Sequence, residues 1–454
     1  MRAGFGNREV MALTSANQPA AQHLTTSRGA ALYVGAILGP GLLVLPGLAA
    51  AEAGPASIVA WLGLLALSCV FAAVFSALGR HVPSAGGVMG YVTTGLGPRA
   101  GRAIGWMFLA GVVSGAPIVC LAGASYVTEL TGGGRLAQAP VAAALLLTVI
   151  ALAAGGLRTT ASAQLVLVSL LTAVVVVAVA GSVAASRAGN WVPFAPHGWL
   201  SVGSAAATLM FSFVGWEAVA PLTTRFANPS RQLPRAVAIA VAVTSALYLG
   251  LAATTISVLG SRAANDAPLA MLLRHAVGPA GTYAAAAAAV VLTLGATNAY
   301  LSGAAAMAGQ LTAQAVPGSS RSAPKLRLLA SIAGAGIVLI TLYGLRIVSL
   351  DALVAIPTTL FLTVYLGAMV TAARVLPGRV RPAARFAAVA VTVMLGFCGW
   401  ALALPAVVAL AVGWRARADG RGRVRRLRPA GIVAPRSDEE FCSDDRRTPS
   451  TTPS

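Results

Sequence analysis

Two long apolar segments of the chain are interrupted near their centres, and these interruptions constrain the fold more than any other feature. Residues 30–51 are hydrophobic throughout, yet their centre is Gly39-Pro40-Gly41, which does not continue an α-helix. Residues 200–224 repeat the pattern, with a glycine and a carboxylate near the middle. In lipid an unpaired backbone group costs several kcal/mol, so an interrupted helix persists only where it lines a cavity or a site. A simple kink explains either segment alone, but two interruptions in corresponding positions favour a binding site.

Composition places the rest of the chain in a membrane as well. Of the 454 residues 57% are hydrophobic and 10% are charged, and the mean hydropathy is +0.81, which excludes a soluble globular protein. The sequence predicts an all-α integral membrane protein with twelve transmembrane helices. We place them at residues 29–51, 56–79, 103–127, 140–156, 161–185, 200–224, 235–259, 280–311, 326–344, 348–373, 384–398 and 400–414. The last two form either one long helix or a hairpin that turns near Gly396 and Gly399.

Basic residues fix the orientation of these helices. The net charge of +20 could suggest nucleic acid, but the basic residues lie in short loops and in the C-terminal tail. With twelve helices and a cytoplasmic N-terminus, five of the 32 basic residues lie in outer loops: Arg135, Arg187, Arg262, Arg274 and Arg346. All others lie on the cytoplasmic side, whereas eleven helices would put the arginine-rich tail outside. We therefore predict a multi-pass protein of the cytoplasmic membrane, surrounded by lipid, with both termini in the cytoplasm and no nucleic-acid partner.

One membrane domain and two tails account for the chain. Residues 1–28 form a cytoplasmic N-terminal tail, and residues 29–415 form the membrane domain. Residues 416–454 have too few apolar residues to fold alone and are predicted to be a disordered cytoplasmic tail. Its basic run either touches anionic lipid or stays in solvent.

The membrane domain is predicted to contain an inverted repeat. Residues 29–185 and 200–373 form two units of five helices, and helices 11 and 12 follow at residues 384–414. Because five is odd, the second unit enters the membrane with the opposite orientation, so interrupted helices 1 and 6 meet at mid-membrane. Half-helix ends carry opposite dipoles and free backbone groups, which suit the carboxylate and ammonium of an amino acid. Pro40 has no N–H, so Gly39 and Gly41 are the predicted donors.

Several local sequences resemble the amino acid–polyamine–organocation (APC) transporters. GAILGPGLLVLP at residues 35–46 is similar to their first helix, and FVGWE at residues 213–217, with NPSRQLPR at residues 228–235, is similar to helix 6 and the loop beyond. PSAGG at residues 83–87, Asn298 with Tyr300, and LDAL at residues 350–353 look closest to the branch that exports methionine and branched-chain amino acids. Together these motifs lie within residues 29–415.

The resemblance implies a LeuT-like fold of 5+5 helices and a set of substrate contacts. It places backbone contacts at Gly39, Gly41, Val214 and Gly215, and an aromatic gate at Phe211. Two positions depart from the family pattern. Pro40 stands where serine or threonine is frequent, which removes a hydroxyl and an N–H from the carboxylate pocket, and Arg225 stands where an acidic residue is usual.

Glu217 is the one carboxylate that we place well inside a span, and two roles are open for it. An ionisable group at this depth is a candidate for binding the coupling proton, but the same carboxylate could cap backbone N–H groups at the break.

A sodium ion stays open as the coupling ion, because a site built from carbonyls and hydroxyls leaves little sequence signature. Asn298 and Tyr300 either line the cavity or hydrogen-bond to a neighbouring helix.

The remaining expectations concern the gate and the activity. Asn228, Arg231 and Arg235 are predicted in the cytoplasmic loop and gate. We expect no catalytic residues, metal or cofactor, so an enzyme is not predicted. The sequence indicates secondary active transport of a neutral, aliphatic or methionine-like amino acid by alternating access. The resemblance favours export, and Glu217 makes a proton the candidate coupling ion. An uptake permease and a non-transporting membrane scaffold or sensor are the alternatives.

Overall fold

Helices form the fold throughout the part of the chain that can be described. A computed structural model describes residues 25–39, 41–82, 86–156, 161–218, 226–315 and 322–426. The elements in these ranges are α-helices linked by short 3₁₀ or π turns. The α-helices are α1 (Thr26–Ile37), α2 (Gly41–Ala53), α3 (Ser57–His81), α4 (Gly87–Leu96), α5 (Pro98–Thr131), α6 (Arg135–Ala154), α7 (Ala161–Ser182), α8 (Leu200–Leu209), α9 (Pro229–Thr254), α10 (Pro268–Val277), α11 (Ala280–Ala315), α12 (Ser322–Gly344), α13 (Leu350–Val375), α14 (Val380–Gly396) and α15 (Ala403–Arg426).

Eight helical runs in these ranges are long and apolar enough to cross a membrane. One of them, Gly41–His81, joins α2 to α3 through the 3₁₀ turn Gly54–Ala56. Shorter apolar helices cover Leu200–Phe213 and Gly399–Trp414. The count of twelve spans and the inverted repeat therefore stay predictions, while the all-helical architecture is confirmed.

Two helices were not predicted because they are too short to cross a membrane. α4 begins after Gly86 and ends at Leu96, because Gly97 takes a positive φ of 91° that stops the helix. α10 begins with Pro268, which has no N–H to leave unpaired in a first turn. Each buries an apolar face, through Tyr91 in α4 and Leu272 in α10. Both segments lie between the predicted membrane helices, so their assignment to loops was wrong.

Two separate helices, α14 and α15, follow α13 in place of one long helix. α14 ends at Gly396, and Gly399 takes a positive φ of 52° at the start of a 3₁₀ turn that leads into α15. This conformation suits glycine, which has no β-carbon to clash. α15 continues to Arg426, past the predicted end of the last helix at residue 414. The described helices thus include residues 26–28 and 416–426 of the predicted tails, and residues 1–24 and 427–454 of these tails lie outside the described residues.

α5 lies at the centre of the packing. It contacts α4, α6, α11, α12, α13 and α15. Glycines on α5 permit close approach, since a β-carbon on Gly123 would collide with Thr293 of α11. α1 packs on α9 and α2 packs on α8, so both parts of the first interrupted segment contact helices that flank the second interruption. This arrangement brings the two interruptions together at one place.

Candidate functional site

The first interruption lies between α1 and α2. α1 ends at Ile37, where the N–H of Gly39 donates to the Ile37 carbonyl over 2.7 Å in a tight turn. α2 begins at Gly41, so its first N–H groups have no partner within the helix. Pro40 lies outside the described residues. The predicted interruption of the first helix is confirmed.

The second interruption follows α8 and is also a true break. A 3₁₀ turn covers Met210–Phe213, and Val214 is extended, with φ −71° and ψ 126°. Gly215 has φ +145°, a conformation that L side chains rarely adopt, and a β-carbon there would collide with the carbonyl oxygen of Ala36 in α1. Gly215 thus serves both the backbone turn and the contact between the two broken helices.

Tyr248 connects the two interruptions. Its hydroxyl, on α9, lies 2.9 Å from the carbonyl oxygen of Ile37 and 2.9 Å from that of Ser212. These carbonyls lie where helical hydrogen bonding ends, and a buried carbonyl needs a donor. Tyr248 was not predicted as a site residue, although a tyrosine in an apolar helix has a hydroxyl that needs a partner.

Tyr365, on α13, holds the break after α8. Its hydroxyl accepts from the N–H groups of Gly215 and Trp216, each at 3.1 Å. It also lies 3.1 Å from the carbonyl oxygen of Phe213 and 2.7 Å from Oε2 of Glu217. This residue too was missed by sequence reasoning. Tyr300, which was predicted, donates to the carbonyl of Val214 over 3.2 Å from α11.

Glu217 lies within this network. Its Oε2 accepts from the Gly215 N–H at 2.9 Å as well as facing Tyr365. A tyrosine hydroxyl has one hydrogen, so Tyr365 can donate to Glu217 or to Phe213 but not to both. An ionised Glu217 takes that hydrogen, whereas a protonated Glu217 can donate its own and leave the hydrogen of Tyr365 for the Phe213 carbonyl. The protonation state of Glu217 therefore bears directly on the backbone of the break.

A cavity of about 510 Å³, a volume that includes its opening, lies beside the two interruptions. Five predicted site residues line it, namely Gly39, Gly41, Phe211, Val214 and Tyr300. The other lining residues are Ile37, Gly111, Val112, Gly115, Ala116, Val119, Ala296, Thr297, Leu301 and Phe361. None of these side chains is charged. Gly215, Glu217 and Asn298 are not among the lining residues; Asn298 is buried beside Thr297 on α11.

Two buried hydroxyls at this place lack a hydrogen-bond partner in the described structure. Thr297 lines the cavity and is 3% exposed, and its Oγ1 is unpaired. Ser212 is 2% exposed, its Oγ is also unpaired, and that oxygen would lie 2.9 Å from a β-carbon placed on Gly41. Buried polar groups are normally satisfied, so both hydroxyls suit a polar ligand or water.

The residues predicted for the cytoplasmic gate are not among those that line the cavity. Asn228 precedes α9, and its Oδ1 accepts from the Ser230 hydroxyl over 2.7 Å. Arg231 and Arg235 are exposed on α9. Arg225, the departure from the family pattern, lies outside the described residues.

Known proteins with similar sequences and folds are transporters. The sequence profile of the family described as amino acid permease matches residues 24–419. The uncharacterized amino acid permease YecA of Bacillus subtilis is 31% identical over 86% of this chain and 94% of its own. The L-methionine/branched-chain amino acid exporter YjeH of Escherichia coli is 29% identical over 87% and 95%. A solved manganese transporter of Eremococcus coleocola covers 91% of this chain and 94% of its own, with a TM-score of 0.56 at 13% identity, and shows a shared fold.

Interrupted helices around a cavity, within a bundle of apolar helices, define a membrane transporter as the class of protein. The chain belongs to the amino acid permease family of the APC superfamily. It is a multi-pass membrane protein that transports amino acids, and it is not an enzyme. The resemblance given by the sequence motifs is thereby confirmed at the level of the family.

Proposed function

We propose that the protein exports neutral amino acids with aliphatic or methionine-like side chains across the cytoplasmic membrane by alternating access. The proposed frame is a LeuT-like 5+5 inverted repeat of twelve helices, with the site between interrupted helices 1 and 6. Both termini face the cytoplasm in this proposal, and Asn228, Arg231 and Arg235 lie at the cytoplasmic entrance.

The observation that carries the proposal is a cavity that borders both interruptions and whose described lining residues have no charged side chain. A charged substrate side chain would lose its hydration there without a partner, which is unfavourable. The α-carboxylate and α-ammonium of an amino acid can instead be bound by backbone groups. Gly41 begins α2, whose N-terminal end favours a negative charge, and Ile37 ends α1, whose carbonyl end favours a positive one.

Similarity to YjeH along almost its full length supports export and a methionine-like or branched-chain substrate. Uptake is the alternative direction, because YecA is described only as an amino acid permease, and that description specifies neither import nor export. The proposed coupling ion is a proton carried by Glu217. The support is the contact of its Oε2 with Tyr365 at 2.7 Å, since proton binding there would redirect the hydrogen of the tyrosine. Sodium is the alternative ion.

Transport by purified protein in liposomes of known orientation tests the proposal. Labelled leucine and methionine should cross the bilayer, and unlabelled neutral aliphatic amino acids should compete better than lysine, arginine or glutamate. A proton gradient should drive accumulation without sodium. Preferred transport of a charged amino acid would contradict the substrate class, and strict dependence on a sodium gradient would contradict the proton.

A further inference from the structure

One face of α5 forms a wall of the cavity. The lining residues of this helix are Gly111, Val112, Gly115, Ala116 and Val119, whose spacing of three and four residues places them on a single face. Two of them are glycines one turn apart. A wall without side chains at these positions leaves room that larger residues would occupy.

The free space differs between the two glycines. A β-carbon on Gly115 would lie 3.6 Å from Cβ of Pro357 and 3.7 Å from the ring of Phe211, which is ordinary van der Waals contact. A methyl group therefore fits at Gly115 without moving its neighbours, at the expense of the cavity. At Gly111 a β-carbon would lie 3.0 Å from the ring of Phe361, so the ring would have to shift.

Phe361 packs directly against this wall at Gly111. It is 2% exposed, and Phe108 packs edge-on against it with ring centroids 5.8 Å apart at 71°. Phe211 approaches it from the second interruption at 6.5 Å between centroids. Phe361 lies on α13 four residues after Pro357 and four before Tyr365, so one face of α13 both bounds the cavity and holds the break.

An independent observation shows that the cavity is suited to a ligand with a polar part. Thr297 lines the same cavity, is almost fully buried, and has an unpaired hydroxyl. A buried hydroxyl without a partner is unfavourable, and a bound polar group would relieve it. The cavity thus has a polar feature on α11 and an apolar, side-chain-free wall on α5.

We infer that Gly115 sets the size of the substrate side chain, which lies in the cavity against the α5 wall at this glycine. The inference rests on the proposed function and names the subsite that selects among neutral amino acids. A side chain as long as that of leucine or methionine needs the space at Gly115, whereas that of alanine does not reach it.

The test is Gly115→Ala in purified, liposome-reconstituted full-length protein. The apparent affinities for alanine, valine, leucine, methionine and phenylalanine are measured by competition and compared with the wild type. We expect the affinities for leucine, methionine and phenylalanine to fall about tenfold or more relative to that for alanine, because hydrophobic pockets discriminate single methylene groups at this level. Gly115→Val should extend the loss to valine.

Two controls distinguish an effect on folding from an effect on substrate selectivity. Alanine is a better helix former than glycine, so Gly115→Ala should retain the wild-type thermal stability. Gly63→Ala is the matched control, because Gly63 is an exposed glycine of α3 with nothing within 4 Å of an added β-carbon. Its affinities should equal those of the wild type.

Two results would overturn the inference. If the wild type transports amino acids and Gly115→Ala leaves the order of affinities unchanged, the subsite is wrong while the proposed function stands. If the wild type transports no neutral amino acid, the proposed function fails and the inference fails with it.

Discussion

Tyr248, Tyr300 and Tyr365 contact backbone carbonyls at the two interruptions. Each comes from a different helix, respectively α9, α11 and α13. Their rings lie in an apolar interior while their hydroxyls supply donors that the broken helices lack. The interruptions are therefore stabilised by three neighbouring helices rather than by their own sequence.

Tyr365→Phe should destabilise the protein, because it removes the acceptor of the Trp216 N–H and a donor to the break, while the Gly215 N–H keeps Glu217 as its acceptor. Leaving buried polar groups unsatisfied costs about 1–3 kcal/mol, and the expected result is a lower melting temperature in detergent. Tyr283→Phe is the control, since Tyr283 is 67% exposed. Equal melting temperatures for the two variants would show that the network contributes nothing to stability.

Glu217→Gln tests the proton role at the same place. Glutamine retains an oxygen that can accept from the Gly215 N–H, so the break should persist. It cannot bind and release a proton, so the dependence of transport on pH should be abolished or strongly altered. Flux in liposomes at several pH values measures this. A pH profile like that of the wild type would leave Glu217 with the capping role alone.

At the scale of elements, the two interruptions are in contact, and each stabilises the backbone of the other. Gly215 lies against the end of α1, and Tyr248 spans from that end to the turn after α8. Neither break is a kink in an otherwise continuous helix, since Val214 is extended and α1 and α2 are separate helices. The broken geometry thus depends on the contact between them.

Gly215→Ala should disrupt that contact. The added β-carbon would collide with the Ala36 carbonyl, and the residue would have to keep a φ of +145°. We expect a large loss of folded protein and of transport, measured by monodispersity in detergent and by flux. Gly303→Ala, at an exposed position of α11 with open space around it, should behave like the wild type. A normally folded, active Gly215→Ala would contradict the contact.

Gly41→Val should act on binding at the first turn of α2. A β-carbon at Gly41 would lie 2.9 Å from the Ser212 hydroxyl and 3.0 Å from a Leu45 methyl, where the neighbours must give way. The larger side chain should block substrate from the backbone and abolish binding, measured by ligand-induced thermal stabilisation. Retained affinity would mean that the substrate does not approach Gly41.

At the scale of the molecule, charge distribution predicts how the bundle lies in the membrane. The exposed Ala188, in the segment between α7 and α8, belongs to a predicted outer loop, and the exposed Ser230, at the start of α9, to an inner one. With the four native cysteines replaced by alanine, Ala188→Cys should react with a membrane-impermeant maleimide in intact cells. Ser230→Cys should react only after permeabilisation. The reverse pattern would invert the proposed orientation.

The sequence also determined much of the helix layout. Most of the predicted helices, the break near Gly396 and the interruption at Gly39 agree with the structure, because apolar length and helix-breaking residues are local properties. The short helices α4 and α10 were missed, because each is stabilised by burying one face against the bundle rather than by its own length.

The residues of the site also divide into those that the sequence predicted and those that it did not. Gly41, Phe211 and Tyr300 were found from their position in or near broken apolar segments, and they line the cavity. Tyr248, Tyr365 and the α5 glycines were not found, because their partners are distant in the chain and only packing brings them together. The end of a helix can be predicted from sequence, because it depends on residues that are adjacent in the chain. Which groups satisfy the exposed backbone, and how much space remains beside it, depends on the helices that pack around the break, and that was decided by the tertiary structure.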